Sequence, residues 1–227
     1  MTDLINDVQD PAFSVGCAVQ PPAAPCSEAK DSDGIPVLGQ VPVRSMEPLF
    51  GCGDRGYYLG LGTNINAEQN AVLMLRALVK RFGPVHISRF YMTDPVGMKS
   101  AHRFLNFAAR IETDLDPIAC KSILVAIEVE LGRDRQAPGC KTADRPADID
   151  MMSAWRRGFP LSPDDLDTSV YMRASCLEIL DFAERHLIRE PADGVCPIEA
   201  ENIKLGNQPL LVVGDDHIGL VCVETHS

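Results

Sequence analysis

Positive charge is scarce in this chain: 21 Lys and Arg stand against 32 Asp and Glu, a formal net charge of −11. That balance excludes nucleic acid and anionic membrane as general partners, since both are held mainly by cationic surface. Long apolar runs are missing as well, so no membrane span is expected. The opening MTDLINDVQDPAF has no basic segment leading into an apolar one. No secretory leader is predicted, and a cytoplasmic setting is expected. None of the eight cysteines stands in a CxxC or CxxH pair, which disfavours zinc and leaves reduced, mostly structural thiols as the expectation. The five histidines, His86, His102, His186, His217 and His226, show no ligand spacing. Gly60-x-Gly62 lacks the third glycine and the following acid of a dinucleotide fingerprint, which disfavours NAD.

What is there is enough for one sizeable core: 227 residues, 45% of them hydrophobic. Residues 1–55 mix Pro, Ala, Ser and acids without periodicity and carry eight acids against three bases. They read as an extension that buries too little surface to order itself. A folded domain is expected over 56–190 and a C-terminal extension over 191–227.

Within the domain, Tyr57 to Gly62 predicts a strand entering a Gly-Thr-Asn turn. Ala71, Leu75, Leu78 and Phe82 form one stripe of a helix over 67–82, stopped by Gly83-Pro84. Val85 to Met92 reads as a strand. Phe104 to Glu112 alternates, with Leu105, Phe107, Ala109 and Ile111 on a core face and Phe104, Asn106, Ala108 and Arg110 opposite. An aromatic beside an amide suits a ring-shaped polar ligand; an ordinary half-exposed face gives the same pattern. Asp116-Pro117 caps a second helix, and Asp148 to Met152 predicts a further strand. The order βαββαβ predicts an α+β fold with a ferredoxin-like core. An added helix within 173–188 and a hairpin from Pro209 to Val223 complete it.

The positive charge gathers in one place. Residues 132–157 hold six bases against four acids, and this cationic stretch runs into Asp148-Ile149-Asp150. On an extended backbone two acids at i and i+2 share a face and can hold hard divalent cations. Cations beside them would meet anionic oxygens on such metals. Surface salt bridges, each worth little, would give the same spacing.

Five segments in order carry a family resemblance: YYLGLGTN at 57–64, FYMTDPVG at 90–97, FLN at 104–106, IEVELGRDR at 127–135 and RPADID at 145–150. Together they resemble the 6-hydroxymethyl-7,8-dihydropterin pyrophosphokinases of folate biosynthesis, a family without the phosphate-binding P-loop motif. The resemblance implies transfer of pyrophosphate from ATP to a pterin hydroxymethyl group, with release of AMP. It implies that Asp148 and Asp150 bind two Mg²⁺, and that Arg133, Arg135 and Arg145 act in catalysis from a mobile phosphate-binding loop. Glu128, Arg133, Arg145 and Arg173 would face ATP; Thr93, Val96, Phe104 and Asn106 would hold the pterin. Where the family has Arg-x-Phe, with a second stacking aromatic, this chain has Arg173-Ala174-Ser175. The resemblance leaves open the same chemistry on another hydroxymethyl or modified pterin acceptor. A ferredoxin-like binding module without catalysis is a further alternative, and no protein partner is implied.

Overall fold

A computed structural model of the chain describes residues 53–98, 100–166, 169–200, 203–214 and 220–223. All but the last three positions of the expected extension over 1–55 lie outside the described residues. The fold is α+β, with antiparallel strand pairings throughout. The elements are β1 (Arg55–Thr63), α1 (Ala67–Phe82), β2 (Val85–Ile87), β3 (Tyr91–Thr93), β4 (Phe104–Glu112), α2 (Pro117–Glu130), β5 (Asp148–Arg156) and α3 (Arg173–Arg185). Two hairpins follow, β6 (Ile198–Ala200) with β7 (Ile203–Leu205) and β8 (Leu210–Gly214) with β9 (Leu220–Val223). The main sheet runs β5-β1-β4-β2-β8-β9, with β3 pairing the start of β4.

One face of this sheet meets α1 and α2. Leu59 and Leu61 of β1 and Leu105, Phe107, Ala109 and Ile111 of β4 are fully buried there against Leu75, Leu78, Leu124 and Ile127. The Asp116 carboxylate accepts from the N–H groups of Ile118 and Ala119 at 2.9 Å each, so two orphan donors of α2 are satisfied where Pro117 opens the helix. Gly83 ends α1 at φ 80°, a conformation that costs a residue without a side chain little.

The other face meets α3, through Tyr58, Ala108, Trp155, Met172, Cys176 and Ile179. The second face of β4 is therefore not half-exposed: Asn106, Ala108 and Arg110 are all buried. Arg110 lies 3.5 Å from the centre of the Trp155 ring, whose indole N–H donates to the Ile111 carbonyl. The strand expected over 85–92 is broken into β2 and β3. At the break Ser88 pairs with Ala108 through its N–H and its hydroxyl, and the Arg89 N–H donates to Glu178 Oε2 at 2.6 Å. The Arg89 guanidinium also pairs with Glu178. A buried ion pair between residues 89 apart in sequence pulls the backbone out of the ladder.

His86 on β2 packs edge-to-face on Phe182, ring centres 5.9 Å apart. Burial pushes its imidazole down to about 3, helped by the positive charge of Arg110 and by His186. The unfolded chain takes a proton near pH 6.5 that the folded chain refuses, so this stabilisation is whole above 6.5 and is lost as pH falls toward 3. Replacing His86 by Gln should flatten the pH dependence of urea unfolding by on the order of 2 kcal/mol between pH 7 and 4.5. Parallel curves for variant and parent would contradict this. Among the described residues no helix is long and apolar enough to cross a membrane.

Candidate active site

The site is laid out by the register across three strands. Gly62 of β1 pairs with Asp148 on one side and Asn106 on the other; Gly60 pairs with Asp150 and Ala108. Because alternate positions share a face, all of these point toward the α3 side of the sheet. The two glycines leave a trough with no side chain between the carboxylates of β5 and the polar edge of β4. A cavity of about 200 Å³ sits over it. Its floor is closed to larger residues: a Cβ at Gly60 would stand 3.3 Å from both Met152 Sδ and Met172 Cε, and one at Gly62 2.7 Å from Asn106 Oδ1.

β5 reaches this geometry with a bulge. Tyr58 pairs with Ser153 and Leu59 with Met151, so Met152 is an extra residue. It shifts the alternation: Asp148 and Asp150 face the cavity, Ile149 enters the core, and Trp155 rather than Ala154 packs under α3.

At the β4 end, Asn106 is buried and its amide N–H donates to Thr93 Oγ1 at 2.7 Å. This fixes the carbonyl end of the amide toward Gly62. Phe104 and Val96 complete that part of the lining, Val96 being well exposed. Gly62→Ala should displace the Asn106 amide and weaken binding of a flat polar ligand about tenfold, while leaving affinity for Mg²⁺-ATP unchanged. Titration of each ligand checks it; equal loss for both would show general damage instead.

At the β5 end, Arg145 Nη1 donates to Asp148 Oδ2 at 2.6 Å and Nη2 to the Lys141 carbonyl at 2.7 Å, with the guanidinium 5.9 Å from the Phe104 ring centre. Buried Asn64 sets this residue, accepting the Arg145 N–H at 2.8 Å while donating to Asp144 Oδ1 at 2.7 Å. Arg133 also pairs with Asp148. Burial works against the charge of Arg133, but Asp148, Glu128 and Asp150 together raise its pKa. Asp150 is largely exposed, with Lys121 Nζ 3.3 Å from Oδ1.

The paired carboxylates fit a hard divalent cation in donor type and direction. Among the described residues no group of three or more acid, Cys or His side chains could complete its coordination. The remaining positions would fall to phosphate oxygens and water, the usual arrangement for Mg²⁺. The cations that neutralise Asp148 and Asp150 here would then turn to the phosphates.

Of the residues expected at the site, Thr93, Val96, Phe104, Asn106, Arg145, Asp148 and Asp150 line the cavity. Four do not. Glu128 is fully buried, receives both Arg133 and Arg135, and accepts the Ile149 N–H at 2.7 Å. Arg173 is exposed at the first turn of α3. Residues that went unnoticed in sequence are Gly60, Gly62, Asn64, Lys121, Met152, Tyr171 and Met172. Only the glycines left a signal, two small residues at alternate positions of an apolar strand.

Fold and cavity together define an α+β small-molecule-binding protein, with a charged end built for an anion and a polar-edged aromatic end. Comparison with known proteins narrows this. The profile of the 7,8-dihydro-6-hydroxymethylpterin-pyrophosphokinase (HPPK) family matches residues 58–179, more than half of the chain. The chain belongs to that family.

Its relatives include the 2-amino-4-hydroxy-6-hydroxymethyldihydropteridine pyrophosphokinase of Porphyromonas gingivalis, 39% identical over 99 residues, covering 42% of this chain and 66% of the relative. The enzyme of the same name from Bacillus subtilis is 35% identical over 98 residues, covering 42% of this chain and 57% of the relative. A mitochondrial folate synthesis bifunctional protein of Arabidopsis thaliana is 31% identical over 125 residues, covering 46% of this chain and 22% of the relative. The matched stretch thus spans less than two thirds of each of these relatives.

Proposed function

We propose that the protein transfers pyrophosphate from ATP to the hydroxymethyl group of 6-hydroxymethyl-7,8-dihydropterin, releasing AMP. The carrying observation is the row Asp148–Gly62–Asn106 across β5, β1 and β4. A flat ring whose polar edge meets Asn106 and Thr93, and whose face meets Phe104, can extend its hydroxymethyl arm over the glycine toward the carboxylates. The names of the Porphyromonas and Bacillus relatives support the same reaction. So does the strand order β5-β1-β4-β2, which we read as a ferredoxin-like core with the β8-β9 hairpin added at its edge.

In this reading the acceptor hydroxyl oxygen attacks the β-phosphorus, the bond from that phosphorus to the α,β-bridging oxygen breaks, and AMP leaves. Such a reaction asks the protein for positioning and charge stabilisation more than for a nucleophilic side chain. Asp148 and Asp150 would hold Mg²⁺, two ions in our proposal. When bound, Mg²⁺ would neutralise polyphosphate charge and align donor with acceptor. Arg145 stands between the ring-binding and carboxylate ends, placed to meet charge developing on the transferred group. Arg133 and Arg135 would exchange Glu128 for phosphate oxygens, with Glu128 and Arg173 on the nucleotide side. Asn106 and Thr93 would read the ring's donor and acceptor edge, Phe104 its face, and Val96 would cover it.

The position of bond cleavage tests this directly. Phosphorus NMR of a reaction containing ATP, Mg²⁺ and the pterin should show AMP together with a pyrophosphate ester. ADP with a monophosphate ester would overturn the proposal.

A further inference from the structure

The cavity carries one aromatic residue that no part of the proposed chemistry has used. Tyr171 lies in the turn before α3, lines the cavity and leaves 42% of its surface exposed. Among the described residues its hydroxyl has no hydrogen-bond partner, so the ring is not there to anchor the fold. Yet its backbone is held firmly. The N–H groups of Met172 and Arg173 both donate to the Ser169 carbonyl, at 2.9 and 3.0 Å. Met172 is buried in the core under α3, and its Cε would lie 3.3 Å from a Cβ at Gly60. The residue next to Tyr171 is therefore locked above the floor of the trough, which fixes the tyrosine at its border.

The chemistry of the two sides is complementary. Phe104 and Asn106 offer a ring face and an amide on the β4 side. On the α3 side Met152 and Met172 offer polarizable thioethers and Tyr171 a second aromatic face. A flat, conjugated nitrogen heterocycle is the ligand class that gains from aromatic surface on both of its faces. An aliphatic alcohol acceptor of the same length would gain little from Tyr171.

We infer that Tyr171 is a specificity-determining residue, supplying from the turn before α3 the second stacking surface for the acceptor's heterocycle. This rests on the reading of the cavity as an acceptor site for a pterin. The neighbouring serine shows why the role falls here: Ser175, one turn into α3, is fully buried and faces away from the cavity lining.

The test is equilibrium titration of the full chain with 6-hydroxymethyl-7,8-dihydropterin in the presence of Mg²⁺ and a non-hydrolysable ATP analogue. Tyr171→Ala should bind the pterin about fivefold to tenfold more weakly, Tyr171→Phe within twofold of the parent, and all variants should bind the nucleotide analogue alone equally well. Tyr171→Leu separates stacking from simple apolar contact: it should resemble the alanine variant. Parent-like pterin affinity in Tyr171→Ala, or in Tyr171→Leu, would overturn the inference. Loss of nucleotide affinity in parallel would do the same, by showing a structural role. Pterin binding without AMP release would sink the proposed reaction but not the role of Tyr171, whereas a parent protein that does not bind pterin would end both.

Discussion

Asp150→Ala should lower Mg²⁺-dependent turnover about a thousandfold while leaving stability nearly unchanged. The two halves of that expectation have separate causes. Asp150 is largely exposed and its only ionic contact is Lys121, 3.3 Å away, an exposed pair of the kind worth about 0–1 kcal/mol. Its removal costs the fold little. In the proposed reaction, however, it supplies one of two carboxylates at the acid end of the trough, and metal-ion catalysis contributes several kcal/mol to such transfers. Steady-state rates across a Mg²⁺ series, with urea unfolding as control, check both halves. Turnover within tenfold of the parent would remove Asp150 from the proposed metal site.

Glu128→Ala is expected to do the reverse, striking the fold first. Glu128 is fully buried, and its carboxylate accepts from Ile149 N at 2.7 Å, Arg133 Nη1 at 2.8 Å and Arg135 Nε at 2.6 Å. Truncation leaves the Ile149 N–H without its acceptor and takes a partner from Arg133, which keeps Asp148 and the Ala147 carbonyl. The cost should be about 3 kcal/mol, or a melting temperature lower by about 6–12 °C for a domain of this size. Because Ile149 sits between the two aspartates, turnover should also fall. Glu128→Gln keeps an acceptor for Ile149 and should lose less. A melting temperature within 2 °C of the parent for Glu128→Ala would show that the buried carboxylate does not organise the start of β5.

These two residues also mark where sequence reasoning reaches and where it stops. Asp148 and Asp150 were legible because an i, i+2 acid pair beside a cationic loop is a local pattern. Glu128 was legible as a charged residue near the end of α2, but its burial depends on Arg133, Arg135 and Ile149 folding back over it. The helices α1 and α2 announce themselves through apolar stripes and through Gly83 and Asp116-Pro117, all signals within one or two turns of chain. β4 shows its core face by alternation. That its second face is also buried depends on α3, some seventy residues later in sequence.

The break between β2 and β3 could not be foreseen for the same reason, since Glu178 lies 89 residues from Arg89. β5 runs to Arg156 rather than Met152 because the extra residue at Met152 interrupts the alternation that a strand reading follows. The glycine trough was visible as Gly60-x-Gly62 but not as a trough, because its meaning comes from Asp148 and Asn106 on neighbouring strands. Local pattern therefore marked the chemical groups, and long-range pairing determined which of them meet.

The most direct test of the account is AMP release from ATP and Mg²⁺ measured with and without 6-hydroxymethyl-7,8-dihydropterin. The account predicts AMP in amounts equal to the pterin consumed, and essentially none when the pterin is omitted. AMP formed at the same rate without the pterin, or no AMP with it while Mg²⁺-ATP still binds, would contradict the central claim that the trough joins a pterin acceptor to a polyphosphate site.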